Sequence, residues 1–360
     1  MQTNIRFPSK RLFIALFISA TAIILLQNYS LSPDSSFTFI LFTILTGLFI
    51  SFLFFIPSML IKKKTNLDFI SFAHRETPSA IIFVSAYYSL YFVYAIEYFL
   101  INYTDMFLKK LNPDANKFVI ALILVAVCVY SACKGVNAIS RTTVFILFIS
   151  LVWFILIFSG LVPSLDFTHN SFEISGNTSD FIFDSQFFLT SSFIAVIFAF
   201  TSGYTDKFKI SHSIFTLIFI AVLFALFTFF LNFSLGSYAN NQEYQSFVLS
   251  KASQLGTIGG LDGLYLSLST TAVFTAISLI FCCIAKSLGN NGSIKNISIF
   301  AVIIFVLFIC SATFNSVREI LTNKYVFNTL NFISAVVIPS IYILGFRRHL
   351  YEDRTCITLP

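Results

Sequence analysis

Ten apolar runs, most of them long enough to cross a bilayer, follow one another along this chain, and there is too little polar sequence between them to cover them in water. They fall near residues 12–30, 36–61, 79–102, 118–132, 142–163, 181–203, 213–236, 261–285, 296–314 and 325–346. A helix needs about 20 mainly apolar residues to cross the hydrocarbon core. Only 11% of the residues are charged and 48 of the 360 are Phe, whereas soluble domains carry about 25% charged residues. The chain is therefore expected to be an all-α membrane protein, one polytopic domain over residues 1–360, with the lipid bilayer as its first partner.

Arg6, Lys10 and Arg11 precede the first run as they would in a signal peptide. No small-residue cleavage pattern follows "TAIILLQNYS", so that run is kept as a span. Counted over alternate loops, 16 Lys and Arg fall on one side and 6 on the other. The positive-inside rule then places both termini in the cytoplasm, as an even number of spans requires. The net charge of +6 follows that loop asymmetry, and no nucleic-acid partner is expected.

The four histidines lie in loops or tails without metal-ligand spacing, and five of the six cysteines lie in apolar segments. These are expected to be buried thiols, with no disulfide framework, no metal site and no cofactor. The spans contain no paired carboxylates, histidine cluster or nucleophile–base pair, so an intramembrane enzyme is not expected.

Ten helices divide into five plus five, the arrangement of transporters built as inverted repeats, whose first helix in each half is often broken at mid-membrane around the ligand. The first span centres on Ser19, Ala20 and Thr21, the sixth on Thr190, Ser191 and Ser192. Small side chains permit close backbone approach, and hydroxyls satisfy backbone groups freed by unwinding. Helices 1 and 6 are accordingly expected to be broken there, with these six residues binding ligand. The alternative is that the same hydroxyls pack helix against helix. In the third span Tyr87, Tyr91, Tyr94 and Tyr98 form one stripe. Tyr91 of that stripe is assigned to the pocket, against packing and interfacial anchoring as the other role for the stripe.

Glu97 is the one carboxylate well inside an apolar run, which makes it an ion or proton candidate, as an outer gate or proton relay; the alternative is an interfacial carboxylate partly in water. Its distance from Ser79, about 27 Å at 1.5 Å per residue, puts it nearer the outer surface than the midplane. In the eighth span Ser269, Thr270 and Thr271, flanked by Ser267, Thr275 and Ser278, offer oxygens to a hard cation unless they bond to their own helix. The stretch "SKASQLGTIGGLDGLYLSL" interrupts the oil before that span. Leu255, Ile258 and Leu261 recur there at three-residue steps, suiting a short helix across the bundle mouth, with a plain outer loop as the alternative.

That stretch also carries a resemblance. With Leu249, Lys251, Gly256, Leu261 and Asp262 it resembles the outer segment of spore germination permeases, the B subunits of germinant receptors within the amino acid–polyamine–organocation superfamily. "YSACKGVNAISRTTVFILF" is similar to the family's Lys-Gly, Ile-Ala-Arg stretch through Lys134, Gly135, Ile139 and Arg141, and "PSLDF" from Pro163 to its exit motif after the fifth span. Three features depart from the family. The first helix lacks a Gly-rich break, the sixth lacks a Phe-Gly-Glu-like centre, and the eighth has Ser269 and Ala276 where Trp and Lys are common. The resemblance implies a receptor of permease fold, in a bacterial cell membrane or inner spore membrane, that binds a small nutrient, such as an amino acid, and signals to a large membrane subunit and a lipoprotein. The alternative is a proton- or cation-coupled amino-acid permease working by alternating access. The scarcity of titratable groups in the spans favours sensing.

Overall fold

The computed structural model describes residues 8–26, 37–166, 186–205, 210–236, 238, 242–255, 258–289 and 294–345. Both termini, the loop 28–35 and most of the loop 164–180, with His169, His349 and Cys356, lie outside the described residues. The described chain is helical apart from turns and one minute hairpin. The helices are α1 (Ser9–Leu26), α2 (Phe37–Thr65), α3 (Phe69–Glu76), α4 (Ile81–Lys110), α5 (Lys117–Lys134), α6 (Val136–Leu161) and α7 (Gln186–Thr201). After them come α8 (Ile210–Phe230), α9 (Gln245–Ala252), α10 (Asp262–Ser287), α11 (Ile294–Thr313), α12 (Asn315–Thr322) and α13 (Lys324–Phe332). Among the described residues eight helices are long and apolar enough to cross a membrane, α13 being one through its continuation to Gly345. The 29-residue α2 and the shorter apolar α7 occupy the other two expected runs. This is an all-α membrane protein.

Burial sorts these helices. The apolar windows of α1 and α10 are 83% and 78% buried, whereas those of α5 and α11 are only 28% and 22% buried. Thus α1 and α10 pack on each other at the centre, and α5 and α11 lie at the edge. The outer surface is apolar, with Phe83, Phe145 and Phe148 all more than 70% exposed. Patches of that kind are rare on water-soluble monomers and mark contact with lipid.

Local chemistry sets the helix ends. Asn116 caps α5 by accepting from the Phe118 amide at 2.9 Å. The helix then stops at Gly135, whose φ of 85° lies in the region that favours glycine, and α6 begins at the next residue. The Lys134-Gly135 pair is therefore a one-residue corner between two spans.

Three readings are corrected. Helices 1 and 6 are not broken: α1 and α7 run as unbroken α-helices. Neither contains Gly or Pro, and the α1 hydroxyls bond within their own helix, Ser19 to Ala15 O at 2.8 Å and Thr21 to Ile18 O at 2.7 Å. Glu97 is not partly in water: it is 0% exposed, sixteen residues from Ile81 and thirteen from the far end of α4. Finally, the stretch before α10 is not a helix beyond α9. It forms a hairpin, β1 (Gln254–Leu255) with β2 (Ile258–Gly259), paired Gln254 with Gly259 and Leu255 with Ile258. Glycine is a poor helix former, and Gly260 takes a φ of +72° to close the hairpin, its amide donating to Ser253 O at 3.2 Å.

The hairpin sits on Gly160 of α6. Ser253 Oγ donates to Ile157 O at 2.9 Å, and a Cβ on Gly160 would overlap Ser253 Oγ and stand 3.1 Å from both Gln254 N and O. The backbone of a paired strand yields poorly, so Gly160→Val is expected to cost about 1–3 kcal/mol by overpacking. A thermal melt of the detergent-purified variant checks it; an unchanged Tm would mean that the hairpin does not rest on α6.

Candidate functional site

The helices run alternately up and down, and a few pinned pairs give their relative depth. At one end Ser9 Oγ lies 2.7 Å from His212 Nδ1, the rings of Phe13 and Phe198 are 5.7 Å apart, and Lys286 donates to Phe200 O at 2.9 Å. Lys10, Arg11, Lys62, Lys63, Lys64, Lys134, Arg141 and Lys286 lie in the first two or the last turns of their helices at this end. We call it the basic end.

Six residues beyond Phe13 on α1 lies Ser19, and six before Phe198 on the antiparallel α7 lies Ser192, each about 9 Å from the ring pair at 1.5 Å per residue. The same count sets Thr21 level with Thr190. The structure therefore brings the two small-polar clusters to one depth on helices that pack together. Ser19, Ala20, Thr21, Thr190, Ser191 and Ser192 are all fully buried. A serine or threonine hydroxyl that donates to its own helix still has lone pairs with which to accept. Ser19 and Thr21, which donate to their own helix, are of this kind.

Tyr91 does not join this belt. The ring of Phe99 on α4 lies 5.2 Å from that of Phe193, so Tyr91, eight residues back, sits about 12 Å nearer the basic end. Its hydroxyl donates to Asn331 Oδ1 at 2.5 Å, Tyr87 pairs with Ser334 Oγ at 3.0 Å, and Tyr88 donates to Ser334 O at 2.7 Å. Tyr98 stacks on Phe327 with centroids 4.3 Å apart. The tyrosines are thus a seam binding α4 to α13 and its continuation. There the last span opens into a π-helical turn, Ile333–Val337, a local widening that is frequent at functional sites.

Glu97 shares the depth of the belt but not its side of α4. Phe92 and Phe99 meet α7, Ser89 and Tyr103 meet Ser287 and Thr270 of α10, and the tyrosine seam faces α13. At 100° per residue, Glu97 falls between the α10 and α13 stripes, away from α7, on the flank those stripes leave to α5 and α11. It is 0% exposed, and neither carboxylate oxygen has a hydrogen-bond partner. The cation candidates on α10 bond within the protein: Ser269 and Thr270 to Leu266 O and Thr271 to Ser267 O, with Thr270 also 2.7 Å from Tyr103 Oη. Among the described residues no three His, Cys, Asp or Glu gather as metal ligands.

Both ends of the bundle are tied. At the basic end Lys286 Nζ lies 3.0 Å from Asp68 Oδ1 and 4.1 Å above the Tyr204 ring, closing α10 onto the α2–α3 corner and the foot of α7. At the other end Arg318 meets Asp105 at 2.5 Å and Lys109 meets Glu243 at 2.6 Å. The bonded Lys109 ammonium holds the Glu243 carboxyl below its ordinary range. Sequence reasoning had treated Lys286 only as a charge that orients the loop, and had not singled out Asp68, Asn331 or Ser334. The Asp68-x-x-Ser71 spacing signals a helix cap, but no local pattern reveals a partner 218 residues away.

No curated protein sequence matches the chain. A protein family does, over residues 10–320, which takes in α1, the belt, Glu97, the hairpin and both end ties. The chain belongs to the spore germination protein family.

Proposed function

We propose that this protein is the permease-fold subunit of a germinant receptor: it takes a small nutrient, an amino acid by preference, into the α1–α7 belt and passes the signal to a large membrane subunit and a lipoprotein. The observation that carries this reading is the coincidence in depth of Ser19–Thr21 and Thr190–Ser192, two fully buried small-polar clusters on neighbouring antiparallel helices, inside a bundle tied at both ends. The family match supports the germination setting. The gathering of basic residues at one end supports a cytoplasmic placement of both termini. On this reading the described conformation is the closed one, and ligand acts by parting α1 from α7.

The test is made on protein reconstituted in liposomes with a mixture of radiolabelled amino acids. Thr21→Leu and Ser191→Leu exchange a hydroxyl for a bulkier apolar side chain within the belt. Each is expected to reduce retained label at least tenfold. Binding at the wild-type level in both stably folded variants would remove the belt as the site.

A second reading, a proton- or cation-coupled permease, is favoured by Glu97, since an unpartnered carboxylate at mid-helix is what a coupled carrier requires. Uptake of label driven by an ion gradient, with no partner subunit present, decides for it.

A further inference from the structure

At the basic end, on the side of the bundle away from Glu97, α1, α6 and α8 enclose a pocket of about 230 Å³. Two facing stripes build it. On α1 they are Lys10, Phe13, Ile14 and Phe17, and on α8 His212, Phe215, Thr216 and Phe219. Both follow the i, i+3, i+4, i+7 spacing of one helix face. In both, the residue nearest the helix start is basic or titratable and those deeper are mostly apolar. The floor is closed by Phe13 and Phe17, 4% and 8% exposed, and the far end by the Phe17–Phe219 ring contact at 6.2 Å. The rim is Leu151 of α6 with Phe215 and Phe219, which are 44%, 59% and 57% exposed. These belong to the apolar surface that faces lipid, so the pocket opens into hydrocarbon and not into water.

We propose that this groove is a lipid-binding site: it holds one acyl chain of an anionic phospholipid, with the headgroup against Lys10 and the Ser9–His212 pair. Its shape and charge distinguish this occupant from others. A cavity of about 150 Å³ lined by Leu, Ile and Phe already admits benzene, so this one has room for part of a chain but not for a partner helix. The basic and titratable side chains lie at one end, and the one polar side chain deeper in, Thr216, donates to His212 O at 2.9 Å, leaving the head-and-tail arrangement a lipid requires. Lys10 is exposed at the second position of α1, and juxtamembrane basic residues attract anionic lipid by about 1 kcal/mol each. Because α1 forms both this groove and one wall of the belt, a bound chain also bears on the helix proposed to move. The lipid site stands or falls independently of what the belt binds.

Native mass spectrometry of the full-length protein, released from detergent in the presence of equal phosphatidylglycerol and phosphatidylcholine of matched chains, tests the site. One phosphatidylglycerol is expected to be retained in preference to phosphatidylcholine. Lys10→Gln is expected to weaken that retention about fivefold, the equivalent of about 1 kcal/mol, and to remove the headgroup preference. Leu151→Trp, entering from the lipid side, is expected to plug the groove and lower retention of both lipids, with the melting temperature in lipid-free detergent unchanged. Inorganic phosphate and glycerol phosphate are expected not to compete, which separates a lipid from a free phosphate. Equal retention of the two lipids, wild-type retention in both variants, or displacement by glycerol phosphate alone would overturn the proposal.

Discussion

Asp68→Ala is expected to be the most destabilising single polar substitution in this protein, lowering its stability by about 3–5 kcal/mol, the cost of leaving one charge of a buried pair without its partner. The side chains of Lys286 and Asp68 are only 12% and 6% exposed. Lys286 keeps its contacts with Phe200 O and the Tyr204 ring when Asp68 is removed, but neither supplies a negative charge. A second loss adds to the first. Asp68 caps α3, accepting from the Ser71 amide at 3.2 Å and the Ser71 hydroxyl at 2.9 Å, and losing such a cap costs about 1 kcal/mol. The comparison is built into the molecule. The Lys109–Glu243 side chains are 50% and 57% exposed, and pairs so open to water contribute about 0–1 kcal/mol; Glu243→Ala is therefore expected to melt as the wild type does. The double substitution Asp68→Leu with Lys286→Met removes both charges together and is expected to recover most of what Asp68→Ala loses. Thermal melting in detergent orders the three. An Asp68→Ala protein that melts within a degree of wild type would show that water reaches Lys286 and that this tie does not hold the basic end closed.

How much of this was legible in the sequence depends on the range of the interaction. Hydrophobic runs are local, so each of the ten expected spans holds one apolar helix, but the gap expected over 133–141 shrinks to the single Gly135, and α6 begins six residues before its expected span. The belt was found by a partly wrong route. Small polar residues at Ser19–Thr21 and Thr190–Ser192 were read as places where helices break, whereas in the described conformation they are where unbroken helices come close. Composition is the same in both cases; the difference is whether a hydroxyl serves its own turn, as Ser19 and Thr21 do. The far end of α4 was missed because it runs eight residues past the expected end of its span, through Tyr103, Asp105 and Lys109, polar residues matched by Thr270, Arg318 and Glu243 from elsewhere. Those partners lie 134 to 213 residues away, beyond the reach of any local pattern. The Tyr91–Asn331 and Lys286–Asp68 contacts escaped for the same reason.

Glu97→Leu is expected to raise the melting temperature while abolishing function. Both oxygens of Glu97 are buried without a hydrogen-bond partner, and a buried polar group left unmatched costs about 1–3 kcal/mol. A leucine of similar length avoids that cost and fits an apolar flank, so a gain of about 1–3 kcal/mol is the physical expectation. Natural proteins accept such a burden mainly where function needs it. On the germinant-receptor reading the carboxyl gains a partner, or an ion, only in the conformation that ligand favours, and both Glu97→Leu and Glu97→Gln are expected to block the response. On the permease reading, Glu97→Gln is expected to bind amino acid normally in liposomes but to lose uptake driven by a pH gradient, because the amide cannot exchange a proton. The two measurements separate structure from function. A Glu97→Leu protein that melts lower than wild type would mean that the carboxylate holds the fold through contacts made elsewhere in its cycle. A Glu97→Gln protein with full gradient-driven uptake and full germinant response would remove Glu97 from both readings and leave the unmatched carboxyl as a cost without a use.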